Sequence, residues 1–158
     1  MLHGWGLHGG VWESLLPRLA SHHRVTRVDL PGHGLSRAIP MPGTLSEVVG
    51  EVLASVPEDA VWLGWSLGGL VAQRAALDAG GSLRGLILAN TTPRFVTGPD
   101  WPDAMPREQL QEFAVGLGQD YEETLQRFLS LQVRGDEAAR AALRQLRDAL
   151  FARGEPDG

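Results

Sequence analysis

The residues with the clearest chemical use are Gly64-Trp65-Ser66-Leu67-Gly68. A serine hydroxyl is a weak nucleophile until it is exposed and a base takes its proton. The Gly-x-Ser-x-Gly spacing supplies the exposure. Serine at a sharp strand-to-helix bend throws its oxygen clear of the sheet, and the flanking glycines leave room for neighbouring backbone. A helix that opens at this point aims its N–H groups and positive dipole end at negative charge growing on an ester carbonyl. The chemistry predicted is acyl transfer through a covalent serine intermediate. The competing reading is a glycine-rich turn with no chemistry. It is disfavoured by the apolar Ala60 to Leu63 run before the motif and the helical pattern after it.

Two further stretches bear on the same reaction. His3-Gly4-Trp5-Gly6 is a loop of the kind that presents a second N–H to a tetrahedral oxyanion, so the backbone N–H groups of Trp5 and Leu67 are the expected donors. Asp29-Leu30-Pro31-Gly32-His33-Gly34 ends an extended run in a rigid turn. Asp29 or His33 could join a triad, but in folds that carry the serine on a strand-to-helix elbow the triad runs serine, acid, histidine along the chain, so a structural loop is favoured. The histidines are His3, His8, His22, His23 and His33, and all precede Ser66. Asp100, Asp103, Asp120, Asp136 and Asp148 follow it, but an acid with no histidine to orient does not make a triad. A nucleophile and its oxyanion donors are therefore expected without a base, and the chain alone is expected to be inactive.

Positioning these groups requires alternating elements. Val11 to Ala20 reads as a helix from the spacing of Trp12, Leu15, Leu16 and Leu19. Arg24 to Leu30 reads as a strand. Thr44 can cap a helix running to about Val56, with Leu45, Val48, Val49, Val52 and Leu53 inward. A strand over Ala60 to Leu63, a helix from Leu67 to Ala79 and a strand over Leu83 to Ala89 complete a pattern typical of a parallel sheet with helices on both faces. After Asn90 the character changes. A proline-rich leader precedes helical spacing at Leu110, Phe113 and Leu117, at Leu125, Phe128, Leu129 and Leu131, and at Leu143, Leu146 and Leu150. The expected organisation is an α/β layer over 1–92 carrying a helical cap over 93–158.

Bulk properties exclude other classes. A net charge of −5 gives no basic field for nucleic acid. The absence of cysteine removes disulfides and thiolate metal sites. No apolar run approaches the roughly 18 residues of a membrane span, and the first ten residues have no signal-peptide pattern. A cytoplasmic monomer with no metal, nucleic-acid or membrane partner is expected.

HGWGLHGGVW, VWLGWSLGGLVA and RFLSLQVRG together resemble the α/β-hydrolase family along essentially the whole chain. The resemblance implies a partial α/β-hydrolase fold, truncated at both ends, with sheet edges left bare. It implies a serine carboxylesterase that releases methanol from a pimeloyl chain on acyl carrier protein, in biotin synthesis, with no cofactor. Ser66 would be the nucleophile. Trp5 and the cap segment Phe128, Leu129, Ser130, Leu131 and Gln132 would bind the acyl chain. Acyl carrier protein is acidic, and Arg127, Arg140 and Arg144 would contact it, the latter two on one helical stripe with Arg147. The alternatives are a carboxylesterase or carbon–carbon hydrolase of other substrate, and a non-catalytic carrier-protein-binding remnant. A haloalkane dehalogenase is disfavoured, since that chemistry needs aspartate where Ser66 stands.

Overall fold

A computed structural model of the chain describes residues 1–78, 83–132, 144 and 147. Its centre is a parallel pair of strands, β1 (Val61–Trp65) and β2 (Gly85–Ala89), in register Val61 with Gly85 through Trp65 with Ala89. The connection between them is helix α3 (Leu67–Asp78), which packs back on the strands as parallel pairing requires. Helix α2 (Leu45–Ser55) lies beside α3. Its start is fixed by a reciprocal cap: Glu47 N–H donates to Thr44 Oγ1 at 3.3 Å, and Thr44 N–H donates to Glu47 at 2.9 Å.

Leu2, Leu30, Val48, Val49, Val52, Trp62, Val71, Ala72 and Ala75 form the main core, between the strands and these two helices. Alternation along β1 puts Trp62 into that core and Trp65 on the opposite face. There Trp65 meets a second cluster, Leu7, Tyr121, Leu125 and Leu129, formed where α4 (Arg107–Gln119) and α5 (Tyr121–Gln132) fold over the amino-terminal loop.

Two expected elements take a different form. The helix expected over Val11 to Ala20 is a 3-10 segment, Gly9–Leu15, followed by the short α1, Leu16–Leu19. Pro17 has no N–H to give to the carbonyl four residues back, so one continuous α-helix cannot pass through it. The strand expected over Arg24 to Leu30 reduces to one bridge, Val28 with Leu2, held by Val28 N–H donating to Met1 O at 3.1 Å. Leu2 also bridges Gly64, with Leu2 N–H to Leu63 O at 2.8 Å and Trp65 N–H to Leu2 O at 3.1 Å. One residue thus stands between Val28 and β1 where a ladder would need several.

Leu86, Ile87 and Leu88 of β2 are successive and exposed, Ile87 at 53%. The helical pattern at Leu143, Leu146 and Leu150 lies outside the described residues. Among those described, no helix is long and apolar enough to cross a membrane.

Candidate active site

Ser66 sits between the last residue of β1 and the first of α3, and its φ is +54°. Left-handed backbone is costly for a residue with a Cβ, so the surroundings must impose it. Three sets of contacts do so. Ser66 N–H donates to Ala89 O at the end of β2 (3.1 Å). Ser66 O accepts from Gly69 and Leu70 N–H at 2.9 and 3.1 Å, the first turn of α3. Thr91 Oγ1 donates to the same oxygen at 2.7 Å.

The motif glycines are required by close approach. A Cβ on Gly64 would strike the backbone of Gly68 and Gly69, and one on Gly68 would lie 2.5 Å from His3 O. These are main-chain atoms, so the contacts cannot be relieved by a rotamer change.

The His3-Gly4-Trp5-Gly6 loop lies directly against the serine. A Cβ built on Gly4 would be 3.2 Å from Ser66 Cβ and 3.6 Å from Ser66 Oγ. Ser66, Trp5 and Leu67 are each half-buried. Among the described residues, neither the N–H of Trp5 nor that of Leu67 has an acceptor.

The loop is pinned at Gly6, whose φ is +70°. Its N–H donates to His33 Nε2 at 3.2 Å, and its carbonyl accepts from Tyr121 Oη at 2.6 Å. Trp5 stacks edge-on against Phe113 of α4 (5.5 Å between centroids), and Phe113 meets Phe128 of α5 at 5.1 Å. An aromatic ladder therefore runs from the loop through both helices.

The buried histidines are tied to backbone. His3 Nε2 accepts from Leu30 N–H (2.9 Å), which leaves Nδ1 as the donor to Gly4 O at 2.8 Å. His33 Nε2 accepts from Gly6, so its Nδ1 donates to Pro31 O at 2.8 Å. Burial pushes His3 down to about 3, with the Gly4 bond opposing, and burial likewise lowers His33. Asp29 accepts from Gly9 and Leu35 N–H. Burial raises its carboxyl, but those two bonds together with the nearby imidazoles of His3 and His8 outweigh it and hold the group below the ordinary carboxylate value. Asp29 and His33 thus have the loop-building role that the order of residues favours, and neither ring nitrogen of His3 or His33 is open to Ser66.

The remaining expected site residues are spread over the helices. Phe128 is half-buried and Leu129 fully buried in the second cluster. Ser130 is exposed, its hydroxyl bonded to Gln126 O at 2.6 Å. Leu131 and Gln132 lie in the last turn of α5. Arg127 is exposed and paired with Glu123 at 3.2 Å. Arg144 is exposed, and Arg140 lies outside the described residues.

Tyr121, Phe113 and Thr91 were not expected as site residues from the sequence. Tyr121 is the chain's single tyrosine, which is the sort of signal that could have drawn attention. Thr91 stands two positions after β2, in a polar triplet with Asn90 and Thr92, but nothing local ties it to Ser66.

A strand, a left-handed serine and a helix, with a glycine loop against the hydroxyl, define a hydrolase elbow, and the chain belongs to the alpha/beta hydrolase family, whose pattern it matches over residues 1–157. Among curated relatives it is similar to the pimeloyl-[acyl-carrier protein] methyl ester esterase of Xanthomonas oryzae pv. oryzae (strain MAFF 311018). The two are 53% identical over 156 residues, 99% of this chain and 61% of that protein. The protein of the same name from Xylella fastidiosa (strain M23) is 46% identical over 157 residues. The chain therefore spans about three-fifths of the length of these relatives. A hydrolase of Pseudomonas aeruginosa PA01 shares 32% identity and superposes with a TM-score of 0.66, over 97% of this chain and 59% of that one. An esterase from Exiguobacterium antarcticum shares the fold (TM-score 0.70, 21% identity, 98% of this chain and 66% of that one).

Proposed function

We propose that the chain carries the nucleophile and oxyanion site of a serine carboxylesterase acting on the methyl ester of a pimeloyl chain on acyl carrier protein. The observation that carries this reading is Ser66 at φ +54° on a strand-to-helix bend, with Gly4 against its hydroxyl. Ser66 Oγ attacks the ester carbonyl, and the N–H groups of Trp5 and Leu67 hold the oxyanion. Collapse breaks the bond to the methoxy oxygen, which leaves as methanol with the proton given up by the Ser66 hydroxyl, and water then cleaves the pimeloyl-serine ester to the free acid and returns a proton to Ser66 Oγ. Trp5, Phe128, Leu129 and Leu131, with Ser130 and Gln132, would receive the acyl chain beneath a cap formed by 93–158 over the 1–92 layer. Arg127, Arg140 and Arg144 would meet the acidic carrier protein. Support for the substrate comes from the relatives' names and the aromatic ladder at Trp5.

Turnover needs a base. No histidine follows Ser66, and His3 and His33 are committed to backbone. The 158 residues alone are therefore expected not to hydrolyse the ester.

The test is slow labelling at pH 9 by a fluorophosphonate. Ser66 Oγ bonds to phosphorus, fluoride leaves, and the proton goes to solvent. Mass spectrometry should place the adduct on Ser66, and a pimeloyl-carrier-protein methyl ester should slow it more than a short acyl ester does. Label of equal yield in Ser66→Ala would overturn the site. Equal protection by both esters would overturn the substrate.

A further inference from the structure

Resting on that esterase reading, we propose that His3 and Thr91 are positioning residues for the oxyanion site, each gripping from behind the carbonyl of the peptide group whose N–H faces the substrate. The N–H of Leu67 belongs to the same planar peptide as Ser66 C=O, and the N–H of Trp5 to the same one as Gly4 C=O. In a trans peptide the two groups point in opposite directions, so holding one aims the other. Thr91 Oγ1 donates to Ser66 O at 2.7 Å, and His3 Nδ1 donates to Gly4 O at 2.8 Å.

Neither bond is needed to satisfy its acceptor. Ser66 O already receives Gly69 and Leu70 N–H, and Gly4 O already receives Leu7 N–H at 3.2 Å. What the side chains add is orientation and polarisation. A carbonyl that accepts another hydrogen bond makes the N–H across its peptide a stronger donor. Both devices are themselves built in. Leu30 N–H on Nε2 fixes the His3 tautomer that donates to Gly4. Thr91 is returned toward Ser66 by left-handed Asn90 (φ +43°), and it occupies the space left by Gly69, where a Cβ would lie 2.5 Å from its methyl group. Two unrelated segments thus converge on the two carbonyls that matter for an oxyanion.

Thr91→Val keeps the shape and removes the hydroxyl, while Thr91→Ser keeps the hydroxyl. The probe is phenylboronic acid, which takes Ser66 Oγ onto boron, with the proton lost to solvent, and puts a boron-bound oxygen in the site. In Thr91→Val the affinity should fall about tenfold, less than the loss of an entire donor, and the Leu67 amide NMR signal of the unliganded chain should move upfield while Trp5 stays. Thr91→Ser should restore both. For the other arm, His3→Gln should move the Trp5 amide and leave Leu67, whereas His3→Asn, which keeps a donor toward Gly4, should not.

Nitrogen-15 spectra of His3 in the unaltered chain should show Nδ1 protonated; the opposite tautomer overturns the His3 arm even if its variants do not fold. Unchanged boronate affinity and Leu67 amide in Thr91→Val, or equal losses in the valine and serine variants, overturn the Thr91 arm. Boronate binding that survives Ser66→Ala defeats the esterase reading itself, a result separate from the amide shifts.

Discussion

At the scale of single residues, backbone strain falls on Ser66, the proposed nucleophile. Its φ of +54° is a conformation glycine adopts without penalty. Ser66→Gly should therefore raise stability by about 1 kcal/mol, whereas Ser66→Ala, which keeps a Cβ, should not. Both should lose fluorophosphonate labelling. Urea midpoints of the three proteins measure the difference, and no gain in the glycine variant would mean the bend stores no strain. The motif was legible because its causes are contiguous: a strand, a serine and a helix that follow one another in sequence. The pinning of that serine was not. Thr91 is 25 residues away and Gly4 is on another segment, so only folding brings them to it.

At the scale of elements, local chemistry decides some boundaries and tertiary contacts decide others. Helix α2 begins where its sequence says it should, because Thr44 and Glu47 cap one another within four residues. Thr44→Ala should cost about 1 kcal/mol, read as a lower thermal or urea midpoint with the fold unchanged by circular dichroism. Helix α5 is placed by a bond no local pattern announces. Tyr121 Oη reaches Gly6 O across 115 residues of sequence. Tyr121→Phe would remove that buried donor at a cost of about 1–3 kcal/mol. Faster amide exchange at Gly6 and Leu7 than in α3 should accompany it; uniform change across the molecule would show that the bond does not tie α5 to the loop. The Val28 bridge makes the converse point. The alternation of Arg24 to Leu30 is a real strand signal, but a strand exists only through its neighbour, and among the described residues Leu2 alone provides one.

For the whole molecule, the buried histidines couple stability to pH. His3 is lowered from 6.5 to about 3, and His33 is lowered too, both chiefly by burial. The unfolded chain therefore takes up protons that the folded chain refuses. Their contribution is complete above about pH 6.5 and is lost progressively as pH falls toward the folded values. Asp29, also lowered, acts at lower pH: its contribution is lost only below the ordinary carboxylate range. Urea midpoints should thus drop between pH 7.5 and pH 4.5. A flat profile would mean the imidazoles protonate in place.

The sequence by itself determined the family, the alternation of strands and helices, the capped helix and the bend at Ser66, because their signals lie in contiguous residues. Tertiary structure alone decided which groups hold that serine and its loop. His33, Thr91 and Tyr121 acquire their partners at Gly6 and Ser66, and His3 the N–H of Leu30, only when distant segments close on one another, and hydrogen-bond geometry at that range depends on packed distance rather than on order along the chain.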